Sequence, residues 1–148
     1  MTEAAADVGA PGSTGKSAIA LIAAIVVAVV LSLGTDELLH VLQVYPPRGQ
    51  NMSDRLFMLA IGYRTVYNIL GSYIAARLAP NRPMGHAMVL GVLGLLVGIG
   101  GAAATWNRQP SLGPHWYAVA VALISIPCAW IGGKLADARR AEGTVATN

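Results

Sequence analysis

The sequence predicts an all-α integral membrane protein, an antiparallel four-helix bundle, and three observations lead to this fold class. Hydrophobic residues make up 55% of the 148 residues and charged residues only 11%, whereas soluble domains carry about 25% charged residues. The hydrophobic residues lie in four long runs, and a helix needs about 20 such residues to cross a bilayer. Short segments rich in proline, glycine and polar residues separate the runs, so consecutive helices are expected to be antiparallel neighbours.

The expected organisation is one transmembrane domain over residues 16–137 with a tail at each end. A disordered cytoplasmic tail is predicted for 1–15 and a polar cytoplasmic tail for 138–148, because both segments lack apolar periodicity. The four predicted spans are 17–44, 55–78, 84–104 and 115–135.

The first span has alternative interpretations. One tilted helix that ends before Pro46 and Pro47 is favoured, because a double proline is a stronger stop than the single Gly34. Alternatively, the helix breaks at Gly34 and a short interfacial helix follows. The run that ends Ser32-Leu33-Gly34 also fits a cleavable signal peptide, although two acidic residues in the leading segment argue against one.

The distribution of lysine and arginine predicts the orientation. Six of these residues flank the side that holds the N-terminal tail, the loop between spans 2 and 3, and the C-terminal tail, and three flank the other side. Because cytoplasmic loops carry the excess of basic residues, both termini are predicted to be cytoplasmic.

Polar side chains in spans 1 and 2 form the main candidate site. Asp36 and His40 are four residues apart and share a helix face with Glu37 beside them, while Arg64 lies roughly 14 Å below the outer end of span 2. An unpaired arginine at that depth costs about 2.5–3.5 kcal/mol, so an ion pair with a carboxylate of span 1 is expected. The candidate binding or ion-pair residues are Asp36, Glu37, His40, Arg64, Tyr67 and Asn68.

This cluster has a functional and a structural interpretation. In the first it is a binding or proton-handling site, in which a carboxylate and His40 titrate and Arg64 anchors an anion. In the second the pair fixes the register of helices 1 and 2, or the carboxylates lie among lipid headgroups if the helix breaks at Gly34. Spans 3 and 4 contain no acidic residue, which argues against a proton relay across the bilayer.

Small residues form a stripe on each of the last two spans. Such residues allow helices to approach closely in lipid, so the stripes are expected to pack on each other, or one of them on another subunit. The helix-packing candidates are Gly91, Gly94, Gly98 and Gly101 in span 3 and Ala118, Ala122, Ser125, Ala129 and Gly133 in span 4.

Spans 2 and 4 end in similar sequences, GSYIAARLA over 71–79 and CAWIGGKLA over 128–136. A duplicated helical hairpin explains this similarity; alternatively, each helix separately needs a small-residue interface and a basic anchor at its cytoplasmic end. The ARLAPNRP and WIGGKLADARR segments at these ends resemble those of small, alanine-rich, four-helix bacterial inner-membrane proteins. This compositional resemblance implies a bacterial inner membrane and no particular activity.

Several function classes are disfavoured. The three histidines lie on different helices and Cys128 is the only cysteine, so we expect neither a metal site nor a cofactor. The sequence shows no nucleophile set or phosphate-binding loop, and its basic residues mark span ends rather than a nucleic-acid surface.

We therefore expect a non-enzymatic structural or accessory subunit that associates with itself or a larger membrane complex through its Gly/Ala-rich helix faces. The alternative is a small oligomeric transporter or channel that uses the Asp36/Glu37, His40 and Arg64 site. A membrane enzyme acting on lipid or quinone is a third possibility, ranked last because no catalytic set is present.

Overall fold

The computed structural model describes residues 11–107 and 113–145, which form four α-helices and no strand. The all-α class predicted from the sequence is therefore confirmed. The helices, in chain order, are α1 (Pro11–Val41), α2 (Asp54–Leu78), α3 (Pro83–Thr105) and α4 (His115–Val145).

Three of these described helices are long and apolar enough to cross a membrane, over Thr14–Val41, Pro83–Thr105 and His115–Glu142. They indicate a membrane protein. The helix α2 differs because it carries three arginines and an aspartate within its 25 residues, and it packs against each of the other three helices. Contact with protein on several sides reduces the lipid exposure of these polar groups.

The helix α1 begins earlier than the sequence predicted. It starts at Pro11, inside the 1–15 segment expected to be a disordered tail, and it continues without a break through Gly34. Proline suits the first turn of a helix because its missing N–H would have no partner there. A side chain at Gly34 would meet nothing within 4 Å, so this glycine marks neither a close approach nor a break.

The end of α1 also differs from the prediction, at Val41 instead of Val44. Gln43 adopts a left-handed conformation with φ of 59°, and its N–H donates to the carbonyl of His40 at 3.0 Å. The next two N–H groups, of Val44 and Tyr45, both donate to the carbonyl of Leu39. Such bonds satisfy carbonyls that the helix end leaves open, and the chain turns before the two prolines are reached.

The helix α4 continues to Val145, well past the predicted end at Leu135 and into the segment expected to be a polar tail. The added segment, ADARRAE, is rich in alanine, arginine and glutamate, which are among the strongest helix formers. The Arg140 Nη2 group also donates to three carbonyls at the end of α2, those of Ala76, Arg77 and Ala79, at 2.9, 3.0 and 3.2 Å. This contact secures the extension of α4 against its neighbour.

The closest helix contacts occur at glycines. A Cβ added at Gly132 of α4 would lie 2.5 Å from the carbonyl oxygen of Ile69 in α2, and one added at Gly71 of α2 would lie 3.3 Å from the carbonyl oxygen of Ala24 in α1. The helix α1, in contrast, makes only slight contact with α3. A gap between α1 and α3 follows, and it reaches the polar residues described next.

Candidate functional site

The site centres on one ion pair between α1 and α2. Arg64 Nη2 donates a hydrogen bond to Asp36 Oδ2 at 2.6 Å. The side chains of Arg64 and Asp36 are 30% and 25% exposed, so the pair is largely removed from solvent without being sealed. Arg64 is ten residues into α2, which places it roughly 15 Å from the start of that helix.

Two tyrosines extend this pair into a chain of hydrogen bonds. The Tyr63 hydroxyl donates to the other carboxylate oxygen of Asp36. Because that uses its only proton, the Tyr45 hydroxyl is the donor in its 3.2 Å contact with the Tyr63 hydroxyl. Tyr45 is 4% exposed, and burial raises the pKa of its hydroxyl. Asp36 therefore holds donors from two positions of α2, and the loop after α1 closes over them.

Glu37 and His40 lie beside this pair and do not contact Arg64. Glu37 pairs with Arg48 of the following loop, at a position where the two side chains are 57% and 74% exposed. The His40 Nδ1 group donates to the carbonyl of Asp36 at 2.8 Å, and its ring meets that of Tyr45 edge-on, with ring centres 5.4 Å apart. Successive residues of a helix point about 100° apart, which explains why Asp36 and Glu37 face different partners.

The two remaining candidates, Tyr67 and Asn68, occupy different positions. The hydroxyls of Tyr67 and Thr35 are hydrogen-bonded at 2.8 Å, a further link between α2 and α1. Asn68 lies one turn after Arg64 and lines the same cavity. The candidate set left out Thr35, Tyr45 and Tyr63. The adjacency of Tyr63 to Arg64 in sequence was a usable signal, whereas the position of Tyr45 depends on the turn at Gln43.

A cavity of about 380 Å³ lies beside Arg64, between α1 and α3 with α2 and α4 behind it. Most of its wall is aliphatic. Four of the aliphatic residues are at least 41% exposed and lie on α1 and α3, where the cavity opens: Val29, Leu33, Leu93 and Val97. The polar lining consists of Ser32, Arg64, Asn68 and Ser125.

The Arg64 Nε atom is buried and has no hydrogen-bond partner among the described residues. An unsatisfied buried donor costs about 1–3 kcal/mol, and more for a charged group. The ion pair with Asp36 therefore satisfies only part of the guanidinium. Arg64 is also one of the residues that line the adjacent cavity.

The small residues of α3 lie mainly against α4. A Cβ added at Gly91 would lie 2.5 Å from Ala129 Cβ, and one at Gly98 would lie 2.8 Å from Ala122 Cβ. The intervening Gly94 faces the Ser125 hydroxyl, and Gly133 of α4 faces Met84 and Ala87 of α3. Gly101 and Ala118 line a separate gap of about 250 Å³.

Metal-ligating side chains do not gather anywhere in residues 11–107 and 113–145, where no group of three or more His, Cys, Asp or Glu residues could hold an ion. Comparisons with protein-family models, curated proteins and solved structures found no significant match. The class that the fold defines is thus an all-helical membrane protein with a partly buried ion pair beside an aliphatic cavity.

Proposed function

We propose that this chain is a non-enzymatic integral membrane protein that binds a small lipophilic molecule between α1 and α3. The ligand carries a hydrogen-bond acceptor, which meets the unpartnered Arg64 Nε. That buried and unsatisfied donor beside a cavity is the observation that carries the proposal. The cavity volume of about 380 Å³ lies at the lower end of the ~300–1,000 Å³ range of small-molecule sites.

The proposal includes an antiparallel bundle in which all four helices cross the bacterial inner membrane with both termini in the cytoplasm. Contacts between α3 and α4 support it, because Gly91 lies against Ala129 while the later Gly98 lies against the earlier Ala122. Asp36 compensates the charge of Arg64, which lowers the cost of placing α2 in the bilayer.

The chemistry of the site favours a ligand that is neutral or weakly acidic at its polar end. Asp36 already compensates the charge of Arg64, so the cavity offers hydrogen-bond donors more than net positive charge. Its opening is lined by exposed aliphatic residues of α1 and α3. A hydrophobic molecule would therefore enter sideways from the hydrocarbon region. Transport of the ligand would extend this function. It requires a second opening of the cavity.

A cavity-blocking substitution tests ligand binding. Val29 is 47% exposed and lines the cavity, whereas Val26, one turn earlier and 52% exposed, does not line it. Protein purified from native membranes in mild detergent should retain a specific lipophilic compound, identified by mass spectrometry of the extract. Val29→Trp should lose this compound and Val26→Trp should keep it. Equal retention by both variants, or no enriched compound in the unaltered protein, would contradict the proposal.

An accessory subunit that associates through a Gly/Ala-rich face is the second candidate. Gly91, Gly94 and Gly98 already contact α4 in the same chain, but a Cβ at Gly101 would meet nothing within 4 Å. A helix of another copy or of a larger complex could approach there. Gly101→Leu should then abolish the oligomer seen by cross-linking in membranes while the variant still folds. An unchanged oligomeric state would contradict association at this position.

A further inference from the structure

A second pocket lies at the other end of the helices, away from the Arg64 cavity. It occupies about 620 Å³ between the last turns of α2 and the extension of α4. Tyr73 and Arg77 are four residues apart on α2, so they share one face of that helix. The wall from α4 consists of Leu135, Arg139 and Glu142, whose spacings of four and three again define a single face.

Both arginines of this pocket are available to a ligand. Arg77 and Arg139 are exposed, and neither forms an ion pair with a described acidic side chain. Glu142 is also exposed and unpaired by the same criterion. The pocket therefore holds two free guanidinium groups against one carboxylate. Its net charge is positive, and planar guanidinium groups suit the oxygens of a phosphate.

The end of α2 would by itself oppose an anion, because the C-terminal carbonyls of a helix carry partial negative charge. Arg140 removes this obstacle. Its Nη2 group donates to the carbonyls of Ala76, Arg77 and Ala79, so a positive group covers the negative end of the helix. The side chain of Arg77 remains directed to the pocket instead of being needed for this cap.

The surroundings of the pocket identify the source of the phosphate. Leu135 in its wall is 49% exposed, and Ile131, one turn back on the same face of α4, is 39% exposed. Lys134 Nζ lies 5.8 Å from the centre of the Trp130 ring, and tryptophan with lysine is typical of the membrane interface. A phosphate bound by the arginines would have apolar surface directly beside it, where acyl chains can lie.

We propose that this pocket binds the phosphate of an acidic phospholipid headgroup. Basic pockets between helices at the cytoplasmic face are suited to such headgroups. Glu142 opposes the bound charge and limits the affinity. This inference is independent of the Arg64 cavity, because the two sites share no lining residue.

Fluorescence quenching by brominated lipids tests the pocket. The full-length chain with Trp106→Phe, Trp116→Phe and Trp130→Phe carries Ile131→Trp as its single tryptophan, one turn before Leu135 on the same face of α4. Reconstitution into vesicles of brominated phosphatidylglycerol mixed with phosphatidylcholine gives the relative association constant of the acidic lipid at this position. We expect a preference for phosphatidylglycerol that falls about 5-fold in Arg77→Gln and again in Arg139→Gln.

Two further variants distinguish lipid binding at the pocket from a general effect of positive charge and from misfolding. Arg82→Gln removes a positive charge from the neighbouring α2–α3 loop, outside the pocket lining, and should leave the preference nearly unchanged. Glu142→Gln should raise the preference, a result that a folding defect cannot produce. An equal loss in Arg82→Gln, or no rise in Glu142→Gln, overturns the proposal. Abolition of the preference by inorganic phosphate at no more than the concentration of the lipid also overturns it, since free phosphate would then be the preferred ligand.

Discussion

At the scale of single residues, the environment of Arg64 has a measurable energetic consequence. Asp36→Asn leaves the guanidinium without its counter-charge, and we expect a loss of about 1–3 kcal/mol of unfolding free energy, below the ~3–5 kcal/mol of a fully buried pair. The additional change Arg64→Met should cost less than the sum of the two single effects. Reversible unfolding in mixed detergent micelles measures this coupling.

The Glu37–Arg48 pair supplies the matched control. It joins the same helix to the following loop, but its side chains are more than half exposed, and such pairs contribute about 0–1 kcal/mol. Glu37→Gln with Arg48→Met should therefore show little coupling. Coupling as large as that of Asp36 and Arg64 would mean that burial does not distinguish the two pairs.

The left-handed backbone conformation of Gln43 also has a measurable effect on stability. Its φ of 59° costs an L-residue about 1–2 kcal/mol, so Gln43→Gly should raise the unfolding free energy by about 1 kcal/mol. Gln50→Gly in the same loop is the control, because Gln50 lacks a positive φ and added flexibility there destabilises only slightly. A decrease of stability in Gln43→Gly contradicts the strain argument. Thermal unfolding of both variants gives the comparison.

At this scale, the sequence predicts the contacts that lie within one helical turn. The depth of Arg64 in span 2 and its need for a counter-charge predict a pair with one of two adjacent carboxylates, but they do not select between Asp36 and Glu37. The structure selects Asp36, because Tyr63 also donates to it and the loop residue Arg48 pairs with Glu37. Both choices depend on the path of the loop after α1, and that path follows from the conformation of Gln43 rather than from periodicity.

At the scale of helices, the contact between α2 and α4 leaves no room for a side chain. A Cβ at Gly132 would lie 2.5 Å from a backbone oxygen and 2.8 Å from a backbone nitrogen of α2, and backbone cannot move aside as a flexible side chain can. Gly132→Ala should therefore cost about 1–3 kcal/mol through forced separation of the helices. The loss is measured by thermal unfolding in detergent.

Gly62→Ala in the middle of α2 is the control, because its added methyl group meets nothing within 4 Å. There alanine should stabilise the helix by about 0.5–1 kcal/mol through its lower conformational entropy. A loss of stability in Gly132→Ala together with a gain in Gly62→Ala would show that the loss arises from the α2–α4 contact. A neutral Gly132→Ala would show that these helices are packed less closely than described.

The apolar runs in the sequence predict the four helices, whereas they do not predict where α1 and α4 end. The prediction placed the end of α1 near the double proline and that of α4 at Leu135, using the strongest local breakers and the end of the apolar run. The actual ends depend on the left-handed Gln43 and on the hydrogen bonds from Arg140 to α2. The helix propensity of ADARRAE is a local signal for the longer α4, but the Arg140 contact joins distant segments and no local pattern encodes it.

At the scale of the whole molecule, α2 is the element that decides between three and four crossings. Its composition places it outside the apolar class of the other three helices, yet it contacts all of them and its Arg64 has a carboxylate partner. A charged helix surrounded by apolar ones fits an internal position in a bilayer. If α2 lay along the membrane surface instead, water would solvate Arg64, and its pair with Asp36 would not be needed to offset burial in lipid.

Accessibility of two single cysteines separates these arrangements. In a Cys128→Ala background, Gln50→Cys reports the α1–α2 loop and Asn81→Cys the α2–α3 loop. If α2 crosses and the excess of basic residues is cytoplasmic, an impermeant maleimide added to intact cells should label Gln50→Cys and not Asn81→Cys. Both should react after the membrane is disrupted, which controls for burial of either site. Labelling of both in intact cells, or of neither, would place the two loops on one side and limit the protein to three crossings.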